Sequence, residues 1–80
     1  MTRAVPVVVE RSPGKGGGWF TRIGERGRFL FGTSVEAVGW TIIGLGRQGA
    51  TAEEMARVAR LLGSELQRMR RAEITAEVSA

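Results

Sequence analysis

The chain has 80 residues, twelve Lys or Arg against eight Glu, and a net charge of +4. It contains no Cys, His, Asp, Asn or Tyr. These absences exclude disulfide and thiolate-metal staples and remove most of the side chains that carry catalysis near neutral pH.

A chain of this size forms one small domain with a limited core. Small unstapled cores are often completed by self-association, so a homodimer is expected. Lys15 is the single lysine and every other cation is Arg. The Arg, Ala and Gly bias points to a GC-rich bacterial or phage genome. No segment reaches membrane-spanning length and no basic-then-apolar leader opens the chain, so a cytoplasmic protein is expected.

Residues 4–10 (AVPVVVE) are short and valine-rich and predict a strand. Pro6 lacks a ladder donor and favours a strand start or an edge position. Residues 12–18 (SPGKGGG) predict a loop. Residues 19–23 (WFTRI) and 28–31 (RFLF) predict two strands, and the turn GERG joins them as a hairpin. Residues 33–46 carry two signals. Thr33-Ser34-Val35-Glu36 has the form of a capping box, with Val35, Val38, Ile42 and Leu45 on one helical face. Against it, Val38–Ile43 is a β-branched and aromatic run, and Gly39, Gly44 and Gly46 would each weaken a helix. The second signal is preferred, giving a fourth strand. Thr51-Ala52-Glu53-Glu54 is a capping box that opens a helix over about 52–72. Met55, Ala59, Leu62, Leu66 and Met69, widened by Val58, form its apolar stripe, as a core or oligomer face. Residues 74–80 fray or add a short strand.

The expected fold is therefore α+β. A four-stranded antiparallel meander over about 4–45 is closed by one long C-terminal helix. Three strands followed by two helices is the alternative. The β4α order is similar to that of single-strand-binding coactivator and Whirly-type domains, without a shared motif.

Gly44-Leu45-Gly46-Arg47-Gln48-Gly49 spells G-x-G-x-x-G and resembles a Rossmann fingerprint. That resemblance implies a pyrophosphate at the start of the following helix. The chain departs from the family in length, in lacking further strand–helix alternation, and in lacking an acidic residue ending a second strand about twenty residues on. Glu53 and Glu54 also place negative charge where the phosphate would sit. The motif is read as a strand-to-helix connection. Lys15 in PGKGGG fails the phosphate-loop pattern, because Gly16 stands where Ser or Thr should be. No cofactor and no metal site is expected, and no catalysis.

The first fifty residues hold seven cations against three Glu, and the last thirty hold five against five. The first half also holds every aromatic. Arg and rings interleave in WFTRIGERGRFLF, a pattern that can stack single-stranded bases and hold their phosphates. Arg22, Arg26, Arg28 and Arg47 are the candidate phosphate contacts, and Trp19 or Phe20 the stacking ring. Alternation puts Phe20 and Arg22 on one face of the second strand, with Trp19, Thr21 and Ile23 on the other. The partner is then single-stranded nucleic acid, with an acidic protein surface as the alternative. A small protein-interaction module, such as a phage-encoded inhibitor or an oligomeric accessory subunit, is the competing class. A helix-turn-helix regulator is a further one, since Val58–Ser64 looks like the first half of that motif. The unbroken apolar spacing through Gly63 favours one continuous helix instead. Arg57, Arg60, Ser64, Arg68 and Arg71 would fall in a sector of about 60° opposite its stripe, as a solvated face.

Overall fold

The computed structural model describes residues 1–14, 16–25 and 29–79. Six elements follow in the order β1 (Thr2–Arg11), β2 (Trp19–Ile23), β3 (Phe29–Phe31), α1 (Ser34–Arg47), α2 (Ala52–Arg68) and β4 (Arg71–Ser79). The strands form one antiparallel sheet in the order β3-β2-β1-β4. The fold is thus α+β with a four-stranded antiparallel sheet and two helices. It has the four strands of the expectation and the two helices of the alternative, and the expected meander is corrected because β4 returns beside β1.

The expected fourth strand at 33–46 is corrected to helix α1. Thr33 caps it, its hydroxyl accepting from Glu36 N at 3.1 Å. A Schellman ending closes it. Gly49 takes φ 107°, its N–H donates to Gly46 O, and Ala50 N–H donates to Leu45 O. Arg3 donates to the Gln48 carbonyl at 3.1 Å and sets a cation at the negative end of the helix. Two of the glycines counted against a helix are explained by packing. A methyl at Gly44 would lie 3.0 Å from Ile23 Cδ1, and one at Gly46 2.8 Å from Met55 Sδ. Their helix-propensity cost is offset by close approach to β2 and α2.

The C-terminal segment, expected to fray or add a short strand, is the nine-residue strand β4. It pairs with β1 from Thr2↔Ser79 to Glu10↔Arg71. This makes β1 an interior strand, so the edge position expected for Pro6 is also corrected. The Pro6 carbonyl accepts from Gly24 N at 2.7 Å, on the β2 side. In an extended strand the N of a residue faces the same side as its C=O. Residue 6 lies just beyond the last β2 pair, Val7↔Ile23, so the missing donor removes no bond to β4.

Both helices cover the same sheet face. Its core comprises Val5, Val7 and Val9 of β1, Ile23 of β2, and Ala72, Ala76 and Val78 of β4. Ala37 and Leu45 of α1 and Val58 and Leu62 of α2 complete it. Thr21 and Thr41 are buried among them, and both hydroxyls donate to the Ala37 carbonyl, at 3.3 and 2.8 Å. Helix α2 runs unbroken through Gly63, the continuous helix that the apolar spacing predicts. Its apolar stripe is a core face: Leu62 is buried, Met55, Ala59 and Leu66 are half-buried, and only Met69 is exposed.

Glu54 ties the start of α2 to the end of β4. Its carboxylate accepts from Thr51 N at 2.8 Å, from Ser79 N at 3.0 Å and from Ser79 Oγ at 3.0 Å. The Thr51 backbone bond, then the Ser79 backbone bond, hold its pKa below the usual carboxylate value. The unfolded chain therefore binds this proton more tightly than the folded one. The stabilisation is present above the ordinary Glu value near ~4.3 and is lost as pH falls through the folded value. We expect thermal denaturation to show Glu54→Gln less stable than the parent at neutral pH. The gap should close on acidification, and a gap that stays constant with pH would contradict this role.

Candidate nucleic-acid interface

Residues paired across an antiparallel ladder share a sheet face. The second face carries Pro6, Val8 and Glu10 of β1, Phe20 and Arg22 of β2, Leu30 of β3, and Arg71, Glu73, Thr75 and Glu77 of β4. Both helices pack on the opposite face, so among the described residues no element covers this one. Arg22, Leu30, Glu73 and Glu77 are exposed, while Val8 and Phe20 are half-buried.

The charges divide this face in two. On the β1–β4 side, Arg71 donates to Glu10 and, at 2.6 Å, to Glu73. The hydrogen bond to Glu73, then the charge of Glu10, raise its pKa further above the ordinary arginine value. Glu77 lies on the same strand, 3.7 Å from Arg57 of α2. These pairs are solvent-exposed and contribute little stability, but they leave this half with more carboxylates than cations. On the β2–β3 side, Arg22 has no carboxylate partner among the described residues. It pairs in register with Val8, and Phe20 sits between Glu10 and Leu30. A shallow cavity of ≈ 300 Å³ marks the boundary, lined by Val8, Phe20, Arg22, Arg71 and Glu73.

Of the residues singled out from the sequence, the structure brings Phe20 and Arg22 together. Trp19 lies on the covered face, paired with Phe31 and half-buried against the core. It therefore does not belong to the open face. Arg47 is in the last turn of α1, beside Ile23, Trp40 and Gln48, on the helical side of the sheet. Arg26, Arg28 and Lys15 lie outside the described residues. The other rings are structural, with Trp40 packing on Phe29 and Phe31 at centroid distances of 4.5 and 5.7 Å.

Sequence reasoning missed the Arg71–Glu10–Glu73 group because it ended a helix at residue 72. The two-residue alternation of Ala72, Ile74, Ala76 and Val78 against Glu73, Thr75 and Glu77 was the available signal. The division of charge at residue 50 also fails in space, since β4 returns three charged residues to the sheet.

The G-x-G-x-x-G stretch forms no phosphate-binding turn. Gly44 and Gly46 are inside α1, and Gly49 is the glycine of its C-terminal cap. The N-terminus of α2 is already filled by its own carboxylate, Glu54. Among the described residues no group of acidic side chains could hold a metal ion. No helix among them is long and apolar enough to cross a membrane. Comparison with protein-family models, with curated proteins and with solved structures gives no match.

Proposed function

We propose that this is a non-catalytic nucleic-acid-binding protein that takes single-stranded DNA or RNA on the β2–β3 half of its open sheet face. The observation that carries this reading is the placement of Phe20 and Arg22 side by side on that face, with Arg22 unpaired by any described carboxylate. A ring offers a base a stacking surface that tolerates any sequence, and an unpaired guanidinium offers a phosphate two parallel hydrogen bonds. Arg26 and Arg28 are further cations in the stretch of sequence between β2 and β3. Glu10, Glu73 and Glu77 repel phosphates from the β1–β4 half, so the strand follows the hairpin.

Trp19 lies on the covered sheet face and Trp40 belongs to α1, so neither ring is on the open face and tryptophan quenching is a poor reporter of it. Anisotropy of labelled single-stranded and duplex oligonucleotides at two salt concentrations is the better measurement. Saturable binding to single strands, weakened by salt, is expected. Phe20→Ala should cost about 1–3 kcal/mol of binding, as for other base–aromatic stacks. Arg22→Ala should weaken binding and reduce the salt dependence by about one phosphate contact. Glu73→Gln should strengthen binding by removing a like charge. Absence of binding at low salt would discard this function and turn attention to an acidic protein ligand.

A protein-interaction role is the second reading. It is favoured by the outward face of α1, where Val35 and Ile43 are 79% and 59% exposed.

A further inference from the structure

The buried side of α1 comprises Ala37, Thr41 and Leu45. Directly opposite, Val35, Gly39 and Ile43 recur every four residues and face away from the sheet. Gly44 and Gly46 are explained by their close neighbours, but Gly39 is not. A methyl there would meet no atom within 4 Å. A helix-interior glycine loses stability relative to alanine, and here nothing among the described residues offsets that loss. Small residues on an outward helix face allow a second backbone to come close.

Glu36 in the first turn and Arg47 in the last are the two charged residues of α1. Eleven residues separate them, so they lie within about 20° of each other on the helical wheel and about 16 Å apart along the axis. Both border the Gly39–Ile43 surface. Glu36 Oε1 accepts from Thr33 Oγ1 at 3.1 Å, which leaves its second oxygen for another donor. Arg47 has no carboxylate partner among the described residues.

We infer that this face binds a second copy of the same chain, with the two α1 helices antiparallel across a two-fold axis. An apolar centre with an acidic end and a basic end is complementary to its own two-fold copy. The two-fold sets Glu36 against the partner's Arg47 and Arg47 against the partner's Glu36. A parallel arrangement would oppose like charges. The contact covers Val35 and Ile43, gives Gly39 its role, and enlarges the apolar burial of a small domain without covalent staples. It lies on the helical side and leaves both open sheet faces uncovered, so it does not depend on the nucleic-acid reading.

Sedimentation equilibrium on the full chain tests the arrangement. The parent protein should run at twice 8.6 kDa. Glu36→Arg and Arg47→Glu should each weaken association by about tenfold, since each turns two attractions into repulsions. The double variant, Glu36→Arg with Arg47→Glu, should regain it. Both reversals also disfavour the helix ends, and the double variant carries both penalties. Its regained association therefore cannot come from helix stability. Gly39→Leu should weaken association while raising helix content by circular dichroism. If a charge reversal prevents folding, Arg47→Gln removes the same pair without introducing a repulsion and should also weaken association. A parent chain that stays monomeric into the millimolar range would overturn the proposal. So would a dimer that the substitutions leave unmoved, or one the double variant does not restore.

Discussion

Removal of residues 71–80 should leave a chain that no longer folds cooperatively. Strand β4 pairs with β1 over nine positions and contributes Ala72, Ala76 and Val78 to the core. Without it, the buried faces of Val58 and Leu62 on α2 lose their floor, and Glu54 loses both bonds from Ser79. An 80-residue domain has roughly 4–12 kcal/mol of stability in total. A buried valine contributes about 1.5–3 kcal/mol and each ladder hydrogen bond about 0.5–1.5. The sum for one strand is comparable to the whole. Ala76→Asp makes the same point with one residue, by placing an unpaired carboxylate under α2. Thermal denaturation by circular dichroism should show a single sigmoidal transition for the parent and none for either variant. A sharp transition in the truncated chain would mean that β1–β3 and the helices form a core by themselves.

Leu62→Ala should lower the unfolding free energy by about 2–5 kcal/mol, the range for emptying a fully buried leucine site. Leu62 is completely inaccessible, at the centre of the surface between α2 and the sheet. Met69 ends the same apolar stripe seven residues on, but it is 59% exposed at the C-terminal cap of α2. Met69→Ala should change stability by no more than about 0.5 kcal/mol. Urea titrations with an unchanged slope would read both values. Equal effects at the two positions would mean that the stripe is buried along its whole length, which the present packing does not allow.

These two residues show how far the pattern in the chain reaches. The stripe Met55, Ala59, Leu62, Leu66 and Met69 identifies a helix and its apolar side, because the 3.6-residue period is local. It does not grade burial along that side, because burial depends on where the sheet ends beneath the helix. For α1 the local signals were in conflict. The capping box at Thr33 and the glycine at 49 bracket a helix, while the β-branched run Thr41-Ile42-Ile43 and three internal glycines argue for a strand. Packing of Gly44 on Ile23 and of Gly46 on Met55 decides it, and both neighbours come from other elements. The same holds for the candidate interface. The alternation that separates Phe20 and Arg22 from Trp19, Thr21 and Ile23 was legible, since it is a property of five consecutive residues.

What the sequence by itself determined is therefore local. It comprises the three N-terminal strands, the hairpin between β2 and β3, the capped helix α2, the two-face division of β2 and the absence of disulfide-forming residues. The tertiary structure alone decided that residues 71–79 return to pair with β1, that 34–47 is a helix, and which face of the sheet is covered. Alternation names two faces without ranking them, and a pairing between residues about seventy positions apart leaves no mark within either segment. Once β4 and the two helices are in place, Trp19 lies on the covered face, Phe20 and Arg22 lie on the other, and three carboxylates share their surface.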